Sequence, residues 1–155
     1  MSNRILLLSG PNLGLLGTRQ PNVYGTATLA DHVAAASEEA ARFGLVIDHR
    51  ASDHEGDLVT AVGQARGQAA AILVNPGALT HYAWSLSDAL AAFDGPVVEV
   101  HLSNPHRRES WRRLSVIAPV ASGTIAGFGS ASYRLAVHAV AGLLGLPGFL
   151  GLGDP

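Results

Sequence analysis

Apolar residues along the chain fall into two alternating patterns. The first consists of short runs rich in branched side chains, at residues 4–9, 45–50, 70–75 and 96–101, with a weaker fifth run at 123–127. Runs of this length are typical of β-strands, and the four stronger ones are expected to be buried on both faces of a parallel sheet. The second pattern fills the segments between the runs.

These intervening segments carry apolar side chains every three or four residues, which is the spacing of one face of an α-helix. Thr28 and Asp31 have the spacing of a capping box, and Gly44 and Gly95 stand where two of the helices are expected to end. A last helix is predicted at 130–144. The apolar series are Leu29, Val33, Ala36, Ala40 and Phe43; Leu58, Val62 and Ala65; and Trp84, Leu86, Leu90 and Phe93.

Strands that alternate with helices predict an α/β fold of the flavodoxin-like type: a doubly wound, five-stranded parallel sheet with helices on both faces. In such folds ligands bind beyond the carboxyl ends of the strands. A single domain is expected over residues 1–145, followed by a loose tail rich in glycine and proline at 146–155.

Composition narrows the classes of function. Charged residues make up only 14% of the chain and hydrophobic ones 48%, so part of the surface is expected to be hidden in an assembly. The net charge of -2, with no long basic stripe, argues against nucleic acid as a partner. No apolar run approaches the roughly 20 residues of a membrane span or resembles a signal sequence, so the expected location is the cytoplasm.

Two residue types are missing altogether. The chain has no cysteine, which excludes disulfides and a cysteine nucleophile, and all ten of its basic residues are arginine. Without lysine there is no Schiff base and no Walker-type phosphate loop. The seven histidines lack the close spacing of a metal site, so no metal is expected, and no cofactor is expected either. The chain also lacks a serine-nucleophile elbow, which argues against a serine triad.

Polar residues cluster directly after three of the predicted strands, at 10–12, 75–81 and 99–104. Each cluster alone reads equally well as a turn, because asparagine, proline and glycine are turn formers. Three clusters at the carboxyl ends of parallel strands predict one shared crevice.

The connection at 10–28 is longer than an ordinary βα loop and contains Arg19 and Tyr24, so we interpret it as a candidate lid. Phosphate binding by its glycines is disfavoured, because the loop lacks the spaced glycines of a nucleotide fingerprint.

Glu99 and His101 lie two residues apart on a strand, so their side chains share a face and the carboxylate can orient the imidazole. The alternative is a core histidine without catalytic function. Four arginines crowd the segment that follows, Arg107, Arg108, Arg112 and Arg113. Such a cluster forms either a solvated face or, beside a crevice, a site for a carboxylate.

In this order the motifs identify a family. They are Gly10-Pro11-Asn12-Leu13 with Leu16-Gly17-Thr18-Arg19 and Tyr24-Gly25, then His54-Glu55-Gly56, Asn75-Pro76-Gly77-Ala78 with Thr80-His81, and Glu99-Val100-His101-Leu102-Ser103-Asn104. The chain resembles the type II 3-dehydroquinate dehydratases from its first strand to its last helix, which makes residues 1–145 the catalytic domain. The resemblance implies the conversion of 3-dehydroquinate to 3-dehydroshikimate, in the shikimate or quinate pathway, by anti elimination through an enolate without Schiff base or cofactor.

The resemblance also implies roles for individual residues. Tyr24 matches the base, and Arg19 its partner on the lid. A free phenol has a pKa near 10, and adjacent guanidinium charge favours the phenolate that such a base requires. Asn12 matches the residue that holds a water against the enolate oxygen. His101, oriented by Glu99, matches the acid that protonates the departing hydroxyl.

Substrate binding follows from the same resemblance. The substrate-binding positions are Asn75, His81, Leu102, Ser103 and Arg112; the supporting ones are Ala78 and Arg108; and Asp88 reaches the site of a neighbouring subunit. Members of the family assemble as trimers packed into a dodecamer.

Four positions depart from the family's usual pattern: Gly14, Asp53, Tyr82 and Trp84. They leave open a divergent paralogue that dehydrates a related cyclic hydroxyketone. A flavodoxin-like binding module that holds a flavin phosphate is the alternative from another class, although the first loop offers leucines where such a module needs hydroxyl donors.

Overall fold

The computed structural model describes residues 2–148 and contains one five-stranded parallel sheet. The strands are β1 (Arg4–Ser9), β2 (Val46–Ala51), β3 (Ala71–Asn75), β4 (Val97–His101) and β5 (Gly123–Ala126). Their order is β2-β1-β3-β4-β5, and each neighbouring pair is parallel. This order confirms the predicted flavodoxin-like fold. Most of the tail predicted at 146–155 lies outside the described residues.

Five α-helices connect the strands or follow them: α1 (Pro21–Tyr24), α2 (Leu29–Arg42), α3 (Glu55–Ala65), α4 (Trp84–Ala91) and α5 (Ala131–Leu143). The predicted capping box begins α2, since the Thr28 hydroxyl accepts the Asp31 N–H and the Asp31 carboxylate accepts the Thr28 N–H at 2.8 Å. Hydrogen bonds donated to the Asp31 carboxylate by the Thr28 N–H and by the Thr28 hydroxyl lower the pKa of Asp31. Short 3₁₀ turns at 13–15, 77–81 and 110–113 follow three of the strand ends.

The sheet separates two apolar cores, because side chains alternate between its faces. On one face Ile5 and Leu7 pack with α2 and α5, and on the other Leu6 and Leu8 pack with α3 and α4. Both cores continue past the carboxyl ends of the strands, through Leu13 and Leu102 on one face and Leu79 on the other, so the loops that carry the polar residues are anchored by buried side chains.

Three local expectations were wrong. Strand β2 is an edge strand and not a strand buried on both faces, and Val46 is 55% exposed. Helix α4 ends at Ala91, before Gly95; that glycine is needed where a Cβ would collide with the Ala70 carbonyl. Trp84, which the apolar series places on the buried face of the third helix, is 67% exposed at the start of α4.

The burial of His32 makes stability depend on pH. Its side chain is 1% exposed, stacks on the Tyr133 ring, and has no hydrogen-bond partner for Nε2 among the described residues. Burial lowers the pKa of His32 below the ordinary value of 6.5, although neighbouring Asp31 opposes this. Below pH 6.5 the unfolded chain therefore binds more protons than the folded one, and stability falls until the folded pKa is passed.

We expect the free energy of unfolding by urea to decrease between pH 7 and pH 5, and to decrease less in His32→Phe, which keeps the stacked ring without the titrating group. The exposed histidine variant His106→Ala is the control and should keep the pH dependence of the parent. Equal slopes in His32→Phe and the parent would remove His32 as the cause.

Candidate active site

One crevice lies beyond the carboxyl ends of β1, β3 and β4. The crevice is partly open to solvent. A Cβ at Gly10 would collide with the Pro76 carbonyl, so glycine allows the loop after β1 to approach the loop after β3. The lining residues are Pro11, Asn12, Leu13, Leu16, Arg19, Tyr24, Asn75, Gly77, Ala78, His81, His101, Leu102, Ser103, Pro105, Arg108 and Arg112.

Tyr24 lies between two arginines. Its phenol oxygen accepts a hydrogen bond of 2.7 Å from Nη1 of Arg108, and the Arg108 guanidinium carbon lies 5.2 Å from the ring centroid. The guanidinium carbon of Arg19 lies 5.7 Å from the same centroid. Tyr24 thus presents its phenol oxygen and ring to two guanidinium groups, one of which donates a hydrogen bond to that oxygen.

His101 is backed by a carboxylate that is fully buried. Nε2 of His101 lies 2.7 Å from Oε1 of Glu99, which is 0% exposed. The Ser115 hydroxyl lies 3.0 Å from both oxygens of Glu99, and the Thr124 hydroxyl lies 3.4 Å from one of them. The carboxylate is thus held in place, and Nδ1 is the ring nitrogen left for a ligand in the crevice.

The arginine cluster divides between the crevice and the solvent. Arg108 and Arg112 line the crevice, whereas Arg107 and Arg113 are exposed. Glu109 lies between the first two: its Oε2 accepts from Nε of Arg112 at 2.7 Å and lies 3.7 Å from Nε of Arg108. A hydrogen bond from its own backbone N–H, the bond from Arg112 and the charges of both arginines lower the pKa of Glu109. The carboxylate orients both guanidinium groups. Nη1 of Arg108 already donates to Tyr24 and Ser103, so Arg112 is the arginine whose terminal nitrogens can face an anion.

Asn12 has a left-handed backbone with φ of 66°, a conformation that asparagine tolerates better than most residues. Its N–H donates to Oδ1 of Asp53 at 2.9 Å. Asp53 is one of the departures from the family pattern, and its carboxylate accepts the same bond that an amide oxygen could. Gly14, another departure, is exposed and a Cβ there would meet nothing within 4 Å.

Of the thirteen residues that the sequence singled out, eleven line the crevice. The exceptions are Glu99, which lies behind His101, and Asp88, which is exposed on α4 and does not line this crevice. Residues that sequence reasoning missed are Ser115 and Thr124 around Glu99, Glu109 between the arginines, and Tyr133 against Asn75. Glu109 lies three residues before Arg112, a spacing that could have indicated their pairing. No spacing or motif marks the other contacts, since Ser115, Thr124 and Tyr133 come from elements or turns other than those of their partners.

Among residues 2–148 no cluster of three or more histidine, aspartate or glutamate side chains could hold a metal ion. In the same part of the chain no helix is both long and apolar enough to cross a membrane.

Comparisons with known proteins agree with this geometry. Residues 3–141 match the family model described as dehydroquinase class II. A 3-dehydroquinate dehydratase from Rhodopseudomonas palustris is 50% identical over 147 residues, which cover 94% of this chain and 97% of the relative. A catabolic 3-dehydroquinase from Verticillium alfalfae is 48% identical over 138 residues, or 89% and 92% of the two chains.

Solved structures give the same result. The type II dehydroquinase from Propionibacterium acnes superposes with a TM-score of 0.85 at 40% identity, covering 91% of this chain and 97% of the other. The type II dehydroquinase from Butyrivibrio crossotus gives 0.84 at 36% identity, covering 88% and 96%. A family match over most of the chain, together with relatives near 50% identity, shows that the chain belongs to the class II dehydroquinase family.

Proposed function

We propose that this protein dehydrates 3-dehydroquinate to 3-dehydroshikimate through an enolate, with Tyr24 as the base and His101 as the acid. One observation carries the assignment: a phenol bonded to an arginine and an imidazole backed by a buried carboxylate line the same crevice. An elimination of water needs such a pair, one group to take a proton and the other to give one to the leaving hydroxyl.

In the first step the Tyr24 phenolate takes a proton from the carbon beside the substrate ketone. The C–H electrons move to the ketone oxygen, which becomes an enolate. Arg108 donates a hydrogen bond to the Tyr24 oxygen, and the Arg19 guanidinium carbon lies 5.7 Å from the ring centroid. Asn12, whose backbone is fixed by Asp53, holds a water against the enolate oxygen, so a neutral donor stabilises the new charge without neutralising the base.

In the second step the enolate collapses, a carbon–carbon double bond forms, and the carbon–oxygen bond to the hydroxyl breaks. His101 donates a proton from Nδ1 to the departing oxygen, giving water. Because Nε2 faces Glu99, the imidazole can carry the second proton as an imidazolium whose charge the buried carboxylate balances. Solvent then returns a proton from Tyr24 to His101.

Other residues that line the crevice bind the substrate's carboxylate and ring hydroxyls. Ser103 and the backbone at Leu102 receive the carboxylate, and Arg112 and His81 bind ring hydroxyls. Nδ1 of His81 bonds the Leu114 carbonyl, and its ring meets the Trp111 ring edge to face at 5.0 Å, so this imidazole is held at the mouth.

The direct test is an ultraviolet assay of purified, chelator-treated protein with 3-dehydroquinate, following the absorbance of the conjugated enone product. We expect turnover without added metal or cofactor. Folded protein that binds the substrate but gives no enone would reject the assignment, and turnover that disappears with the chelator would reject the metal-free route.

Replacing Arg112 by alanine should weaken substrate binding and leave the chemical step largely intact. The side chain is 17% exposed, lines the crevice and is held by Glu109, so its loss removes a preformed hydrogen-bonding fork. We expect KM to rise roughly tenfold or more with kcat within a few-fold of the parent, since one charge-assisted hydrogen bond is worth about 1.5–3 kcal/mol. Arg113→Ala, one position along and exposed, is the control. A normal KM in Arg112→Ala would contradict the role.

We propose further that the chain assembles as trimers packed into a dodecamer in the cytoplasm, with Asp88 reaching a neighbour's crevice. Support comes from large apolar side chains that a lone chain leaves in water: Tyr82 is 59% exposed, Trp84 67% and Leu114 63%. Asp88 is exposed on α4, beside these residues in the sequence. Light scattering on the purified protein should give about twelve times the chain mass of 16.0 kDa, and a monomer would refute the assembly.

A further inference from the structure

A buried series of hydrogen-bonded polar side chains runs from Asn75, in the lining of the crevice, into the protein interior. Nδ2 of Asn75, at the end of β3, lies 3.0 Å from the Tyr133 phenol on α5. Ser9, beside Asn75 in the sheet, is the other hydrogen-bond partner of that phenol. The Ser9 hydroxyl in turn lies 3.0 Å from Nε2 of His49 on β2.

Most of these hydrogen-bonded side chains are buried in the protein interior. Ser9 and Tyr133 are 0% exposed and Asn75 is 3% exposed. Burial raises the pKa of Tyr133 to about 12, which excludes it as a base and keeps its proton in place. His32 stacks on the Tyr133 ring with 5.3 Å between centroids and 18° between planes, so the ring itself cannot turn freely. A side chain that is buried and bonded in this way fixes whatever it touches.

The donors and acceptors available to each side chain determine the direction of the hydrogen bonds in this series. The Gly77 N–H donates to Oδ1 of Asn75 at 3.2 Å, so Nδ2 is the atom that faces Tyr133 and the phenol oxygen accepts there. The phenol proton then goes to Ser9, and the Ser9 proton to Nε2 of His49, which must be unprotonated. Burial lowers the pKa of His49 despite neighbouring Asp48, which favours that neutral form.

We propose that Tyr133, Ser9 and His49 are positioning residues that hold the Asn75 amide so that it presents an N–H donor, and not its oxygen, to the crevice. Oδ1 is occupied by Gly77 and one hydrogen of Nδ2 by Tyr133, which leaves the second hydrogen of Nδ2 for a ligand. Asn75 therefore selects a ligand oxygen with a free lone pair at this point, such as a ring hydroxyl or a carboxylate. The turnover part of this inference rests on the proposed function.

The test begins with Tyr133→Phe, which keeps the ring on His32 and removes only the hydroxyl. We expect kcat/KM for 3-dehydroquinate to fall about tenfold, the scale of one lost hydrogen bond. Ser132→Ala is the matched control, since it removes a 0%-exposed hydroxyl from the same helix whose partner is the Phe128 N–H. It should keep kcat/KM near the parent value, whatever it costs in the free energy of unfolding.

Substitutions of His49, the last side chain of the hydrogen-bonded series, give a second measurement. His49→Phe removes the terminal acceptor and should lower kcat/KM, whereas His49→Gln, whose amide oxygen can accept from Ser9, should restore most of it. Equal losses in Tyr133→Phe and Ser132→Ala, or no rescue by His49→Gln, would overturn the proposal.

A readout independent of turnover separates this inference from the proposed function. In ¹⁵N NMR spectra of the ligand-free protein, His49 should have the tautomer protonated on Nδ1, and the Asn75 side-chain amide signals should move in Tyr133→Phe but not in Ser132→Ala. A proton on Nε2 of His49, or unmoved Asn75 signals, would overturn the chain of bonds even in an active enzyme. If the His49 and Asn75 signals behave as expected but no enone forms from 3-dehydroquinate, the proposed function is rejected and the positioning inference stands.

Discussion

Replacing Tyr24 by phenylalanine should lower kcat at least about a hundredfold while the chain keeps its fold. A positioned base commonly contributes a factor of 10² to 10⁴, and this variant removes only the oxygen that takes the proton. The ring remains to pack against the apolar core beside α2 and α5. The change is measured by the enone assay at saturating substrate, with far-ultraviolet circular dichroism as the check on folding.

Tyr82→Phe is the control for Tyr24→Phe. It removes a phenol oxygen from a residue that is 59% exposed and does not line the crevice, so turnover should stay near that of the parent. A Tyr24→Phe enzyme with near-normal kcat would exclude Tyr24 as the base and leave the Arg108 hydrogen bond without a catalytic purpose.

Replacing His101 by alanine should lower kcat by a similar factor, but at a different step. The variant leaves Tyr24, Arg108 and Arg19 in place, so the proton beside the ketone can still be removed and returned. What it loses is the donor to the departing hydroxyl, and Glu99 keeps its bonds to Ser115 and Thr124. The enone assay measures the loss, and His106→Ala, an exposed histidine outside the crevice, should behave as the parent.

Hydrogen exchange separates the two steps. In D₂O the proton beside the ketone of 3-dehydroquinate is replaced by deuterium whenever the enolate forms and returns. We expect NMR to show this exchange, catalysed by His101→Ala, without formation of product, whereas Tyr24→Phe should lose both exchange and elimination. Exchange in Tyr24→Phe but not in His101→Ala would reverse the proposed roles of base and acid.

Several parts of the site could be predicted because their cause is local. The two-residue period of a strand places Glu99 and His101 on one face, and the observed 2.7 Å contact confirms it. The capping box at Thr28 is likewise complete within four residues. The carboxyl ends of parallel strands share one edge, so the sequence predicted one crevice, and eleven of the thirteen chosen residues line it.

Other parts depend on which elements become neighbours, and a local pattern does not contain that information. The apolar run at β2 looks like that of a central strand, yet β2 lies at the edge, where it needs burial on one side only. His32 and Glu39 are polar residues that a helical pattern assigns to solvent. His32 is buried because the Tyr133 ring covers it, and Glu39 because Arg134 and His138 of α5 pair with it.

The sequence by itself determined the order of strands and helices along the chain, the edge of the sheet at which the crevice lies, and the motifs by which the chain resembles its family, because these follow from periodicity and from short runs of residues. Only the tertiary structure decided that Arg108 supports the site through a bond to the Tyr24 oxygen, 84 positions away, and that Tyr133 bonds Asn75 across 58. Such contacts depend on the packing of distant segments, and each needs a side chain at one angle and one distance that no spacing along the chain specifies.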